Sequence, residues 1–370
     1  MLNDLVILKP KSEEPADSER VDRLLELPVS ADRITTAAGL KKRLLSDDEA
    51  ETLKGRRLLF IASLGPLGIN TEAWAMMAEF RRHSDCLAGS VAAIIVDAAS
   101  EFYTKDLARL LVFTMNNAGA LFIGRPLVEG TGSLANFQII AKNLGTDLTG
   151  AYRASLRDLI DRLLAFPGAP HADADPAAPP RPARLLCIHA SNRETSNTLT
   201  LWNKVKACLD PAVHVREVAL RNGEIRDCNA CHFDMCMYYS RRSSCFFGGT
   251  IVEEVYPALS ECDAVIMLCP NYNDALGANM TALINRLTAL YRNTPFSDKY
   301  LYAIVVSGYS GGDILAQQLI GSLNMNKAFI LPPYFALTET ANAPGSIDLI
   351  PGIDERAAAF AADISRRLVD

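Results

Sequence analysis

No stretch of this 370-residue sequence stays apolar for the roughly 20 residues that a bilayer-spanning helix needs. The N-terminus, MLNDLVILKPKSEEPADSER, lacks the basic region, apolar region and small-residue cleavage site of a secretory signal, so the cytoplasm is the expected compartment. Basic blocks are absent too. The 37 Lys and Arg are outnumbered by 43 Asp and Glu, and no run of positive charge is available to neutralise successive phosphates, which argues against a nucleic-acid partner. A Gly-x-Gly-x-x-Gly fingerprint is also missing, so a dinucleotide would bind transiently rather than in a Rossmann domain of its own. What is present is a globular composition. With 49% hydrophobic residues the chain can bury a large core, and its length favours two domains.

The chain is punctuated at two places. Residues 1–50 are charged, with short amphipathic stretches at Val21 to Leu27 and Ala38 to Leu45, and read as an extended arm. Residues 166–183, FPGAPHADADPAAPPRPA, are dominated by Pro and Ala and read as a semi-rigid linker. The two segments they separate, 51–165 and 184–370, resemble each other. Arg57-Leu-Leu-Phe-Ile-Ala-Ser leads to Asn70-Thr71 and Trp74, as Arg184-Leu-Leu-Cys-Ile-His-Ala leads to Asn197-Thr198 and Trp202. Gly119 to Pro126 likewise parallels Asp263 to Pro270. The second pair is spaced more widely than the first, and the excess falls on a cysteine-bearing insertion at 225–247.

Short apolar runs alternating with helical patterns predict a parallel sheet buried on both faces. In the second half the expected strands are Leu185 to Ala190, Val213 to Val218, Asp263 to Leu268, Tyr302 to Ser307 and one near Phe329, with a helix after each. The expected fold is a doubly wound, five-stranded α/β domain whose ligand lies beyond the carboxyl ends of the strands. The first half offers three strands, Arg57 to Ser63, Val91 to Asp97 and Ala120 to Gly124, and reads as a truncated, degenerate copy.

Three loops in the second half carry the chemistry. The first, His189 to Thr198, is rich in hydroxyls and amides, contains Arg193, and opens a helix whose N–H groups suit a monophosphate. The same residues would serve an ordinary N-cap at Ser196 or Asn197. The second loop is Pro270-Asn271-Tyr272-Asn273-Asp274, where proline fixes a turn and the tyrosine offers a ring face or hydroxyl. The third is Ser307-Gly308-Tyr309-Ser310-Gly311-Gly312, whose glycines permit close backbone approach. Leu64 to Ile69 and Pro126 to Val128 of the first half lack these groups, so that half is expected to cover, dimerise or dock rather than bind the ligand.

At these residues the sequence resembles the NADPH-dependent FMN reductases of the flavodoxin-like group. Ser191, Arg193, Ser196 and Asn197 follow that family's Ser-x-Arg-x-x-Ser-x-Asn loop, with Asn placed directly after the second Ser, and Pro270-Asn271-Tyr272 follows its Pro-x-Tyr. The family's early helical Lys is absent and Asn285 stands where Asp is common. The resemblance implies FMN held by Ser191, Arg193, Ser196, Asn197, Thr198, Pro270, Asn271, Tyr272, Asn273, Ser307, Gly308 and Gly311. It also implies NAD(P)H as transient reductant, a small-molecule or protein electron acceptor, and a homo-oligomer. No proton donor is assigned, Tyr272 and Asp274 being merely near the expected ring.

Nine cysteines divide into two sets. Cys86, Cys187, Cys208, Cys262 and Cys269 sit in apolar or helical stretches and read as small core hydrophobes. Cys228, Cys231, Cys236 and Cys245 crowd the insertion, where soft thiolates suit a metal. They resemble the iron-sulfur flavoproteins, whose compact cysteine run holds a [4Fe-4S] cluster, although the spacing here is looser. A cluster, a zinc site with His232, and unligated or redox-active thiols remain three readings. An electron-transfer or accessory subunit without NAD(P)H turnover is the alternative to an FMN oxidoreductase, and a cofactor-free scaffold is a third.

Overall fold

The computed structural model describes residues 5–12, 15–25, 32–46, 48, 51–167, 182–191 and 195–369. Two compact units divide the chain. The first comprises Met1–Gly168 with the short segment Leu331–Tyr334, and the second comprises Ala169–Ile330 with Phe335–Asp370. Most of the Pro/Ala-rich stretch lies outside the described residues.

The first unit contains strands β1 (Leu5–Leu8), β2 (Asp32–Ile34), β3 (Arg57–Leu64), β4 (Val91–Ala98) and β5 (Leu121–Gly130). All pair in parallel, in the order β2-β1-β3-β4-β5. Its helices are α1 (Pro15–Leu24), α2 (Ala37–Leu44), α3 (Thr71–Arg82), α4 (Thr104–Asn116), α5 (Gln138–Leu144) and α6 (Leu148–Ala165). Two strands thus come from the stretch read as an arm. Leu5 and Ile7 join Val21, Leu24, Leu59, Ile61, Ile95 and Tyr152 in one buried cluster. With four and three residues, β1 and β2 are too short to display a period, which is why three strands alone are legible in sequence.

The second unit contains β6 (Ala183–His189), β7 (Val213–Ala219), β8 (Ala264–Pro270), β9 (Tyr300–Ser307) and β10 (Ala336–Thr340), all parallel, in the order β7-β6-β8-β9-β10. Its helices are α7 (Asn197–Ala207), α8 (Phe233–Ser240), α9 (Tyr256–Glu261), α10 (Ala278–Tyr291), α11 (Gly312–Leu319) and α12 (Ile353–Val369). Both units share the doubly wound strand order 2-1-3-4-5 of flavodoxin-like proteins. Trp202, Tyr256, Tyr300, Tyr302 and Phe296 fill the core of the second. The last strand is displaced from the expected position near Phe329. Phe329 and Ile330 are buried, but Pro332 and Pro333 bring no N–H groups to a ladder, and pairing with β9 resumes only at Ala336.

Topology also shifts the internal repeat. The 57–64 strand is third in its unit and corresponds to β8, not to β6 as the matched Arg-Leu-Leu motifs indicate. The 121–130 strand is fifth and corresponds to β10. The apparent match reflects the common composition of buried parallel strands. The cysteine segment keeps its standing as extra chain, since the crossover between second and third strands covers 220–263 in the second unit against 35–56 in the first.

At the carboxyl end of its sheet the first unit holds an internal ion pair. Arg20 donates from Nε to both oxygens of Asp97 at 2.9 and 3.0 Å, and from Nη2 to Asp97 and to the carbonyls of Ala98 and Thr131. Asp97 is 2% exposed. Removing Arg20 takes the cation from a buried carboxylate, so Arg20→Leu is expected to lower the stability of this unit by about 2–4 kcal/mol. A chemical-denaturation midpoint equal to wild type would contradict that assignment.

Candidate functional site

In the second unit the chain runs from β6 to β7 on one side and returns to β8 on the other, creating a topological switch point between β6 and β8. A cavity of about 570 Å³ opens there, lined by Ala190, Ser191, Thr195, Ser196, Asn197, Thr198, Asn222, Pro270, Asn271, Tyr272, Val306, Gly308, Ala341, Asn342 and Pro344. Hydroxyls and amides dominate this wall, and none of these side chains is charged. Eight residues singled out in the sequence meet here: Ser191, Ser196, Asn197, Thr198, Pro270, Asn271, Tyr272 and Gly308. Arg193 lies outside the described residues. Asn222, Ala341, Asn342 and Pro344 were not signalled by any motif, the last three because they follow β10, which is misplaced in the sequence reading, while Thr195 lies within the first loop.

The wall is built by α7. Ser196 is its N-cap, with Oγ accepting from the Leu199 N–H at 3.4 Å, while the N–H groups of the first turn face the cavity end of the helix. Asn197 follows and is 9% exposed. Its Nδ2 donates to the carbonyls of Ala341 (3.1 Å) and Ala343 (2.8 Å) and to Ser346 Oγ (3.4 Å), and its Oδ1 accepts from the Gly345 N–H at 3.0 Å. This side chain is therefore spent on holding the 341–346 loop against the helix start. Its contribution to a ligand is the placement of that loop.

A second tie joins the loops after β8 and β9. Asn271 Nδ2 donates to Asp274 Oδ1 (3.1 Å), Ser307 Oγ (3.2 Å) and the Ser310 carbonyl (2.8 Å), and Asn271 Oδ1 accepts from the Asp274 N–H at 2.9 Å. Asn273 and Asp274 both take left-handed backbone, at φ 54° and 56°, a region short polar side chains tolerate. Gly311 closes the tie at φ +84°, where a Cβ would lie 2.1 Å from Asp274 Oδ1 and 2.9 Å from Asn271 Nδ2. Asn273, Ser307 and Gly311 thus support the loops without lining the cavity. Tyr272, 61% exposed, stands at the rim, and Asn342 Nδ2 donates to the hydroxyl of the still more exposed Tyr309 at 2.8 Å. Beneath the loops His189 ends β6, its pKa lowered by burial against the opposing charge of Glu217.

Residues 183–342 match the family model described as NADPH-dependent FMN reductase. That match spans 160 of the 370 residues. Solved structures similar to the chain include an NAD(P)H:quinone oxidoreductase from Methanothermobacter marburgensis, at 12% identity over 50% of this chain and 96% of that one, TM-score 0.38. An FMN-dependent NADH-azoreductase from Bacillus anthracis str. Ames Ancestor in complex with FMN shares 8% identity over 49% and 99%, TM-score 0.32. The Trp repressor binding protein from Bacillus subtilis shares 19% over 50% and 99%, TM-score 0.31. No curated protein matches the chain.

In the second unit the cysteine segment is anchored to the middle of α10. Arg286, 3% exposed, donates to the carbonyls of Arg226 (3.2 Å) and Gly248 (2.6 Å), gripping both ends of the segment. Asn285 Nδ2 donates to Asp227 Oδ1 at 3.0 Å, and this bond, with that from the Cys228 N–H, holds the Asp227 carboxyl below its usual range. An aspartate at 285 would instead face Asp227 with like charge, which accounts for the departure from the family pattern. Burial, reinforced by Cys245, Cys236 and Cys228 and offset by the Arg286 charge, pushes the Tyr256 hydroxyl up. Even so, among the described residues no group of three or more His, Cys, Asp or Glu side chains is arranged to hold a metal ion. The donor set as arranged does not fit a [4Fe-4S] cluster or zinc, and no electron path is drawn through one.

Exposure sorts the thiols differently from sequence in one case. Cys208, read as core, is exposed at the C-cap of α7, whereas Cys86, Cys187, Cys262 and Cys269 are buried. Burial raises Cys86 to about 11 and Cys262 and Cys269 to about 12. An aromatic disulfide reagent is expected to modify Cys208, Cys228, Cys231, Cys236 and Cys245 rapidly in metal-free native protein, and the buried four only on unfolding. Because the folded state keeps protons that unfolded thiols release, these buried groups also predict stability that declines as pH rises above about 9. Uniform reactivity of all nine thiols would contradict this burial pattern.

Proposed function

We propose that the second unit binds FMN in the 570 Å³ cavity and uses it to pass reducing equivalents from NAD(P)H to an acceptor. The observation that carries this reading is the placement of an uncharged, hydroxyl- and amide-lined cavity at the switch point, beside the N-terminus of α7. Such a wall suits a phosphate dianion, for which the helix start and its hydroxyls supply donors and no lining carboxylate supplies repulsion. Ser191, Thr195, Ser196 and Thr198 would hold the phosphate, with Arg193 completing the loop. Asn197 would act by fixing the 341–346 loop. Pro270, Asn271, Tyr272 and Gly308 would hold the ring, supported from behind by Asn273, Ser307 and Gly311.

Bound FMN would supply the redox chemistry, accepting a hydride and releasing electrons singly or in pairs. The chain's own part is to bind, orient and limit solvent. Tyr272 and Tyr309, exposed at the rim, provide aromatic surface against which a transient nicotinamide or a planar acceptor would rest. No described helix is long and apolar enough to cross a membrane. The test is anaerobic: FMN-loaded protein mixed with NADPH, and separately with NADH, should lose the visible absorption band of oxidised flavin within seconds and recover it on adding a quinone. Binding of FMN without reduction by either nucleotide would favour an electron-transfer subunit instead.

A further inference from the structure

His189 is the last residue of β6 and stands two residues before Ser191, in the loop that walls the cavity. In register it lies between Ala219 of β7 and Leu268 of β8, and its carbonyl accepts from the Leu220 N–H at 2.7 Å. The side chain is half-buried, and its Nδ1 is shut off from solvent with no hydrogen-bond partner among the described residues. Buried polar atoms without a partner are exceptions in folded chains, and each calls for a reason.

Few charges surround this ring. Glu217, two residues before Ala219 on β7, shares the His189 face of the sheet and is itself engaged from α7, by Trp202 Nε1 at 3.1 Å and Lys206 Nζ at 2.7 Å. Cys187, two residues back along β6, is a thiol that burial keeps protonated, and Leu268 of β8 brings no charge. Burial pushes the imidazole down from its ordinary range, opposed by the Glu217 charge and the Ser191 backbone, so the ring is neutral at about pH 7 in the flavin-free protein. A phosphate dianion held by the Ser191 loop reverses that balance. The described cavity wall carries no charged side chain, and an opposite charge brought close to a partly buried imidazole favours its protonated form.

Resting on the FMN reading above, we infer that His189 is a proton-linked counter-charge of the flavin phosphate, neutral in the flavin-free protein and taking up a proton from the buffer as FMN binds. It does not line the cavity and acts as a positioning residue through the Ser191 loop. Each FMN that binds above the flavin-free pKa of the ring must bring in a proton, so affinity falls as pH rises until the bound-state pKa is passed. The second ionisation of a phosphate monoester, at about pH 6, acts in the opposite direction and is largely past by about pH 7. Arg193 keeps its charge throughout this range and contributes no proton. Isothermal titration calorimetry of the flavin-free protein at about pH 7, in phosphate-free buffers of low and high ionisation enthalpy, counts the protons. FMN is expected to bind with uptake of about 0.3 to 1 proton and riboflavin with none, and FMN affinity to fall about threefold or more between about pH 6.5 and 8.5. His189→Asn should abolish the uptake and flatten that profile. Imidazole NMR of the wild type reads the same event without a variant, since one of the five histidine rings should pass from neutral to cationic on adding FMN at about pH 7. Saturable FMN binding with no proton uptake and no change in any ring would overturn the inference while leaving the FMN reading in place. Uptake that persists undiminished in His189→Asn would do the same, whereas no saturable binding of FMN would overturn both.

Discussion

Asn197→Ala should both destabilise the second unit and weaken FMN binding, although the polar atoms of its side chain are spent on the 341–346 loop. Four hydrogen bonds disappear, and the Ala341 carbonyl and the Gly345 N–H lose the partner that Asn197 supplies, while the Ala343 carbonyl keeps the Ser346 N–H and hydroxyl. Each orphaned group costs about 1–2 kcal/mol, giving about 2–4 kcal/mol in all. The 341–346 loop contributes Ala341, Asn342 and Pro344 to the cavity wall, so its release opens that wall. FMN affinity is expected to fall about tenfold or more, measured by flavin fluorescence quenching alongside thermal denaturation. Unchanged stability with weakened binding would instead make Asn197 a direct ligand.

The second large effect is expected at Gly311. A methyl group there would press into the Asn271–Asp274 pair, and the φ of +84° adds roughly 1–2 kcal/mol of backbone strain for any L side chain. Gly311→Ala should therefore separate the two loops that Asn271 ties together, lowering FMN affinity by about tenfold. Gly345→Ala is the control, since it has a similar φ of +76° with nothing within 4 Å of its Cβ. The control should lose stability comparable to backbone strain while retaining more flavin affinity. Equal losses at both positions would mean that strain alone, not the tie, is responsible.

These two residues also mark where sequence reasoning stops. The runs that became β8 and β9 are apolar throughout and buried on both faces, so their strands and the loops after them are legible from composition. The hydroxyl-rich turn before α7 is legible because helix starts demand acceptors and offer donors locally. Asn197 reads as part of the same phosphate loop, yet its polar atoms are spent on residues near 345, a pairing no local pattern encodes. β10, Ala-Leu-Thr-Glu-Thr, is a partly exposed edge strand, and its polar composition conceals it behind the more apolar run ending at Leu331. In the first unit, β1 and β2 gain their place through long-range pairing with β3 and with each other. Reading the half as three strands follows from their brevity, and so does the misaligned repeat. The cysteine segment shows the same limit, since spacing displays ligand types but their convergence depends on how Arg286 and Asn285 pin the chain to α10.

That the cavity beside α7 is a flavin-phosphate site is tested most directly by titrating the flavin-free protein with FMN and, in parallel, with riboflavin. The structure predicts one saturable FMN site per chain and at least about tenfold weaker binding of riboflavin, because the donors of the α7 start have a partner only when the phosphate is present. Equal affinity for the two, or no saturable binding of FMN, would contradict it.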